Sequence, residues 1–208
     1  MKLIGKLISF ILVLSVLGAL GMWIFLEYLP YGFAREVEFR EKSLRETIVA
    51  AAKNWVGTQE GDFSHETILE IYNSHEPLAQ SYTVTQEDNW CAAFASTVAI
   101  ECSLTDIIPT ECGCQRQIGL WQELDRWEEN DNYLPLPGDY IYYAWDEEFS
   151  FGDCTAWADH VGIVAGTFGP IIKVIEGNWS DSVTYHYVLQ GDYQIRGYGL
   201  PDYTSKTE

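Results

Sequence analysis

The chain has 208 residues, 47% of them hydrophobic, with 8 Trp and 13 Tyr. That is enough for one domain of ordinary size with a substantial core, plus an appendage. A formal net charge of −19 argues against nucleic acid or an anionic membrane surface as the partner of the folded part. Lys2 and Lys6 both precede the first acidic residue, Glu27, so the remainder is more acidic still.

Leu7 to Leu26 is an uncharged, mostly apolar run behind those two lysines. A helix of that length crosses a hydrocarbon core of about 30 Å. The basic flank stays inside and sends the rest of the chain outside. A cleavable signal peptide is the alternative, with Ala19-Leu20-Gly21 as a small-x-small site. Met22 to Leu26 carries the apolar run past that site, which favours an uncleaved anchor over residues 1–26. Residues 27–43, with Pro30 and Gly32, form a connector.

Ser43-Leu44-Arg45-Glu46 has the form of a capping box. Behind it Leu44, Ile48, Ala51, Ala52 and Trp55 share one helical face, and Gly57 is the stop. A second helix is predicted over Glu66 to Asn73, with His65 and His75 as surface histidines beside it. Pro77 to Thr85 is a loop. It leads to Asp88-Asn89-Trp90-Cys91-Ala92-Ala93-Phe94, which opens an apolar run to Ile100. The run reads as a buried helix with Cys91 at its start, capped by Asn89 or Asp88. A thiol there feels the positive end of the helix dipole, which favours the nucleophilic thiolate. A lone cysteine in such a helix is more often a small core hydrophobe, so the chemistry depends on what the fold brings to it.

Cys102 to Cys114 is an irregular connector. Ile118, Trp121, Leu124 and Trp127 form the inner stripe of another helix, ended by Glu128 to Asp131. From Pro135 the period changes to two. Asp139 to Ala144, His160 to Ala165, Ile171 to Glu176, Val183 to Leu189 and Gln194 to Tyr198 read as strands. Helices first and strands second is the α+β pattern. Gly152 to Trp157 is a loop expected to line a cleft. Trp145, Trp157 and Trp179 are candidates for its walls or for the core.

His160 opens one strand and Glu176 closes the next, so neighbouring strands place an imidazole and a carboxylate side by side. Cys, His and Glu in that order supply a nucleophile, a base to share its proton and a group to orient the ring. His186 falls on a later strand and is not expected to take over from His160. The five cysteines are Cys91, Cys102, Cys112, Cys114 and Cys154. If Cys91 is the nucleophile, the other four allow two disulfides, a zinc site or free thiols. Cys112 and Cys114 are too close in sequence to pair with each other without strain.

In these motifs the chain resembles the CHAP domains, the cysteine- and histidine-dependent amidohydrolases/peptidases. The resemblance rests on Trp90-Cys91-Ala92-Ala93-Phe94, Pro137-Gly138-Asp139, Asp159-His160-Val161-Gly162-Ile163-Val164, Glu176-Gly177-Asn178 and Tyr198-Gly199-Leu200-Pro201. It spans residues 44–203 and leaves 204–208 as a tail. It implies a papain-like α+β fold, with N-terminal helices packed on an antiparallel sheet behind one transmembrane or signal helix. It also implies cleavage of amide bonds in peptidoglycan, with Cys91 as nucleophile, His160 as general base, Glu176 as ring orienter and Asn178 as a supporting polar group. Many relatives carry a glutamine beside the nucleophile as an oxyanion donor. Trp90 stands there in this chain, which leaves Gln86, Asn89 and Tyr82 as candidates. Some relatives bind calcium ahead of the nucleophile. Glu87 and Asp88 make no Asp-x-Asp loop, so no metal or other cofactor is expected. The expectation is a membrane-anchored monomer acting on peptidoglycan outside the cell. The rival is a catalytically silent wall-binding or assembly module with the same fold.

Overall fold

The computed structural model describes residues 39–130, 132–145 and 154–206, together with Gly18. Apart from Gly18, the stretch Leu7 to Leu26 lies outside the described residues, as do Gly152 and Asp153. Among the described residues no helix is long and apolar enough to cross a membrane.

Four helices precede most of the sheet. They are α1 (Phe39–Asn54), α2 (Phe63–Asn73), α3 (Cys91–Glu101) and α4 (Cys114–Glu123). The strands are β1 (Trp127–Glu128), β2 (Tyr140–Tyr143), β3 (His160–Phe168), β4 (Ile171–Glu176), β5 (Thr184–Leu189) and β6 (Ile195–Gly199). They form one sheet in the order β1-β6-β2-β3-β4-β5, with every pairing antiparallel. The α+β expectation therefore describes the molecule.

Helix α3 is apolar all round because it is enclosed all round: Cys91 through Ala99 are buried. It lies between α1 and α2 on one side and the sheet on the other. Alternate strand residues point to opposite faces of a sheet. Tyr140, Tyr142, Val161, Ile163 and Ile175 face the helices, while Ile141, Tyr143, Val164, Val174 and Val188 build a second apolar cluster on the far face. At Gly177, just past β4, a Cβ atom would lie 2.6 Å from Phe94 Cβ. Glycine is what lets the end of β4 close onto the first turn of α3.

Several expected boundaries shift. Helix α1 begins at Phe39, so Ser43 is an interior residue whose carbonyl accepts from Thr47 Oγ1, and no capping box forms. Arg45 is buried instead, paired with Glu41 and with Asp139 and donating to Pro137 O at 2.9 Å. It ties α1 to the Pro137-Gly138-Asp139 turn. Helix α4 ends at Glu123, with Asp125 in the left-handed region at φ 58°. Of its predicted inner stripe, Ile118 and Trp121 are buried, Leu124 is exposed and Trp127 has moved to β1. His65 is fully buried rather than on the surface. Its Nδ1 accepts from Gly61 N, and its ring lies 4.6 Å from that of Trp90. All five cysteines are free thiols, so neither of the two allowed disulfides is present.

Candidate active site

Cys91 is the first residue of α3. Trp90 holds the cap position without a capping side chain, contrary to the expectation for Asn89 or Asp88. Asp88 is drawn away by its own loop, accepting from Thr85 N at 2.8 Å and Tyr82 Oη at 2.9 Å. Asn89 Oδ1 accepts from Asn178 Nδ2 at 3.3 Å. The first-turn N–H groups of α3 therefore have no side-chain cap, and the positive end of the helix is left at Cys91. Trp90 is fully buried and donates through Nε1 to Glu60 at 3.0 Å. It braces the turn from below and offers no donor to a ligand. Of the other candidate donors, Tyr82 is spent on Asp88 and Gln86 reaches Glu66 on α2.

On the far face of the sheet, His160 Nε2 lies 3.3 Å from Glu176 Oε2. Register explains the contact. Glu176 is directly opposite Gly162, which shares a face with His160 two residues before it. A Cβ at Gly162 would lie 2.6 Å from Glu176 Cγ, so the glycine makes the room that lets the carboxylate reach the imidazole. The other carboxylate oxygen, Oε1, lies 3.2 Å from His186 Nδ1. Trp179 stacks on His186 with ring centroids 4.5 Å apart, and Trp145 approaches both histidines.

Burial pulls the His160 imidazole toward neutrality, but its hydrogen bonds to Cys91 and Glu176, and their charges, push its pKa up to about 10. Burial likewise opposes ionisation of Glu176, yet the two imidazoles hold its pKa below the ordinary value. Cys91 is lowered well below an ordinary thiol, first by a hydrogen bond from Cys114 and then, against burial, by His160.

Cys114 occupies the other side. Its sulfur lies 3.5 Å from that of Cys91, and its pKa is raised well above normal by that hydrogen bond, by burial and by the charges of Cys91 and Asp159. The two thiols are coupled, with ionisation favoured at Cys91 and disfavoured at Cys114, and either sulfur can be the donor in their contact. A cavity of about 320 Å³ opens beside Cys114, and Trp157, 76% exposed, forms part of its rim. Of the three candidate wall tryptophans, Trp157 lines this cavity, while Trp145 and Trp179 surround the histidines. Among the described residues no group of three or more His, Cys, Asp or Glu is placed to hold a metal ion.

His160 and Glu176 are thus in contact, and Cys91 lies close enough to His160 for the imidazole to lower its thiol pKa. Asn178, at φ 60°, donates to Asn89 Oδ1 beside the start of α3, and among the described residues no hydrogen bond joins it to the His160 ring. Two members of the arrangement are absent from the motif reading. Cys114 looks like one of four interchangeable cysteines in the sequence. His186 stands opposite Val174 on β5, a register that places it on the face of Glu176, and only the pairing of β4 with β5 reveals it.

No protein-family model matches the chain, and no curated protein matches it. Among solved structures it is similar to one titled "The crystal structure of Ly7917", at 15% identity and a TM-score of 0.43. A second, "The crystal structure of Ly7917 with the hydrolyzing product of MDP", is similar at 15% identity and a TM-score of 0.39. In each case the match covers 76% of this chain and 62% of the other, so the chain spans less than two thirds of these neighbours' length.

Proposed function

We propose that this chain is a cysteine-dependent hydrolase that cleaves amide bonds of peptidoglycan. The reading is supported by Cys91 at the start of α3, its thiol lowered by Cys114 and His160, and by the buried His160–Glu176 contact at 3.3 Å. The peptidoglycan substrate follows from the motif resemblance to the CHAP domains.

In this reading the Cys91 sulfur attacks the amide carbonyl carbon, and the carbonyl electron pair moves to oxygen. The Cys91 N–H and the side-chain amide of Asn89, whose own oxygen is held by Asn178, receive that oxyanion. His160 passes its proton to the departing nitrogen, the C–N bond breaks and a thioester remains. Neutral His160 then deprotonates water, which attacks the thioester. The C–S bond breaks, returning the thiolate and the imidazolium and releasing a carboxylic acid. Glu176 stabilises the imidazolium and fixes its ring.

In zymography on peptidoglycan gels the wild type clears the gel. Cys91→Ala loses about 10⁴-fold or more of that activity, since removing a nucleophile of this kind leaves only residual catalysis. Full clearing by Cys91→Ala ends the thiolate mechanism. Mass spectrometry of released muropeptides identifies the bond. Leu7 to Leu26 would hold the chain in the membrane with the site outside. Protease added to intact protoplasts should digest residues 39–206 and spare a fragment near residues 1–26, and a domain that resists it while the cells are intact contradicts that orientation.

A further inference from the structure

The cavity beside Cys114 is lined by Gln80, Tyr82, Asp88, Cys114, Arg116 and Trp157, among others. Three of its features bear on what it holds. It adjoins the nucleophile, because Cys114 Sγ is 3.5 Å from Cys91 Sγ. Its rim is aromatic and open, with Trp157 76% and Tyr82 46% exposed. Finally, Arg116 is the one lysine or arginine among the described residues without a hydrogen bond, ion pair or ring contact. The others are paired with acids, lie over aromatic rings or have contacts of their own.

In a chain of net charge −19 an unpaired guanidinium is conspicuous, since acidic partners are abundant. An anionic ligand group is repelled by most of this surface and finds a cationic partner in Arg116. A guanidinium matches a carboxylate through two parallel N–H···O bonds, a geometry a lysine cannot copy. Asp88 in the same wall is anionic and is held by Thr85 N, Thr85 Oγ1 and Tyr82 Oη rather than by Arg116, so the guanidinium is left free to pair with a ligand. The indole face of Trp157 offers apolar area for the stem of the same ligand.

We propose that this cavity is a substrate subsite that takes a peptide carrying a free carboxylate next to the bond presented to Cys91, with Arg116 as the specificity-determining residue. The proposal rests on the hydrolase reading for its substrate class, and the test separates the two. The carboxylate has two sources, a glutamyl side chain or the chain end.

The probes are acetyl-L-alanyl-D-glutamine amide, which is neutral, the corresponding D-glutamic acid amide with the charge on the side chain, and acetyl-L-alanyl-D-glutamine with the charge at the chain end. Their affinities are measured by calorimetry on the full-length chain in detergent. A Cys91→Ala background prevents turnover. One charged probe binds about tenfold tighter than the neutral one, the scale of a charge-assisted pair, and which one does so names the source. Arg116→Gln abolishes that preference and leaves the neutral probe unchanged, while Arg116→Lys keeps part of it. Equal affinity for all three probes, no binding of any, or a preference that survives Arg116→Gln overturns the proposal. Gel clearing by wild-type protein, run in parallel, reads the hydrolase function separately. Clearing without a carboxylate preference removes the subsite alone, and a preference without clearing removes the hydrolase reading alone.

Discussion

Cys91, the proposed nucleophile, has two unlike neighbours. On the helical side, Cys114 gives the Cys91 sulfur one hydrogen bond and borders an open cavity. On the far face of the sheet, His160, Glu176 and His186 form a buried chain in which each carboxylate oxygen meets one imidazole. The first side acts on the thiolate and the second on the imidazolium. An active ion pair needs both, so the two sides should control opposite ends of the pH range over which the site works.

The largest effect is expected on the sheet side. Glu176→Gln removes the charge that favours imidazolium, so the His160 pKa falls from about 10 and the alkaline limb of the rate profile moves to lower pH. The maximal rate also drops, by roughly 10²- to 10⁴-fold on the precedent of triad orienting acids. A pH–rate profile on one defined muropeptide tests this. An unmoved alkaline limb would detach Glu176 from the ring.

Cys114→Ala should act on the other limb. Without the S–H donor the thiolate is less favoured, the Cys91 pKa rises and the acid limb moves to higher pH. Activity lost near neutrality should return in part at higher pH, and Cys114→Ser, which keeps a donor, should restore some of the wild-type profile. Iodoacetamide labelling of Cys91 as a function of pH reads the same shift without a substrate. If Cys114→Ala and Glu176→Gln move the same limb, the division between the two sides is wrong.

The smallest effect belongs to His186. His186→Gln retains a donor to Glu176 and should change the rate only a few-fold. His186→Ala leaves one oxygen of a buried carboxylate without its partner, which costs about 1–3 kcal/mol by general experience with unsatisfied groups. Thermal unfolding and the alkaline limb, measured together for the two variants, separate a packing role from a positioning one. Equal behaviour of Gln and Ala would reduce His186 to a filler between Trp145 and Trp179.

The pattern of α+β elements was legible because helix and strand periods are strong local signals, and the strand over Ile171 to Glu176 matches β4 to the residue. The places of Cys91, His160 and Glu176 at element boundaries were legible because neighbouring residues mark those boundaries. What escaped depended on contacts between distant segments. Asp88 and Asn89 are good caps in isolation, but Tyr82, Thr85 and Asn178 claim them. His65 reads as a surface residue until Trp90 covers it. Cys114 is indistinguishable from Cys112 until α4 turns it toward Cys91.

The last strand has a consequence for when the site can exist. β6 is not at an edge: it lies between β1 and β2 and pairs with both. A few residues later Tyr203 Oη donates to Gly138 O, and its ring lies under the Arg45 guanidinium. Until residues 195–203 arrive, β1 has no partner strand and β2 is an edge of the sheet β2-β3-β4-β5. A chain that ends before β6 carries Cys91, His160 and Glu176 without the strand that closes the sheet beside β2 and without the Tyr203 contacts to Gly138 and Arg45.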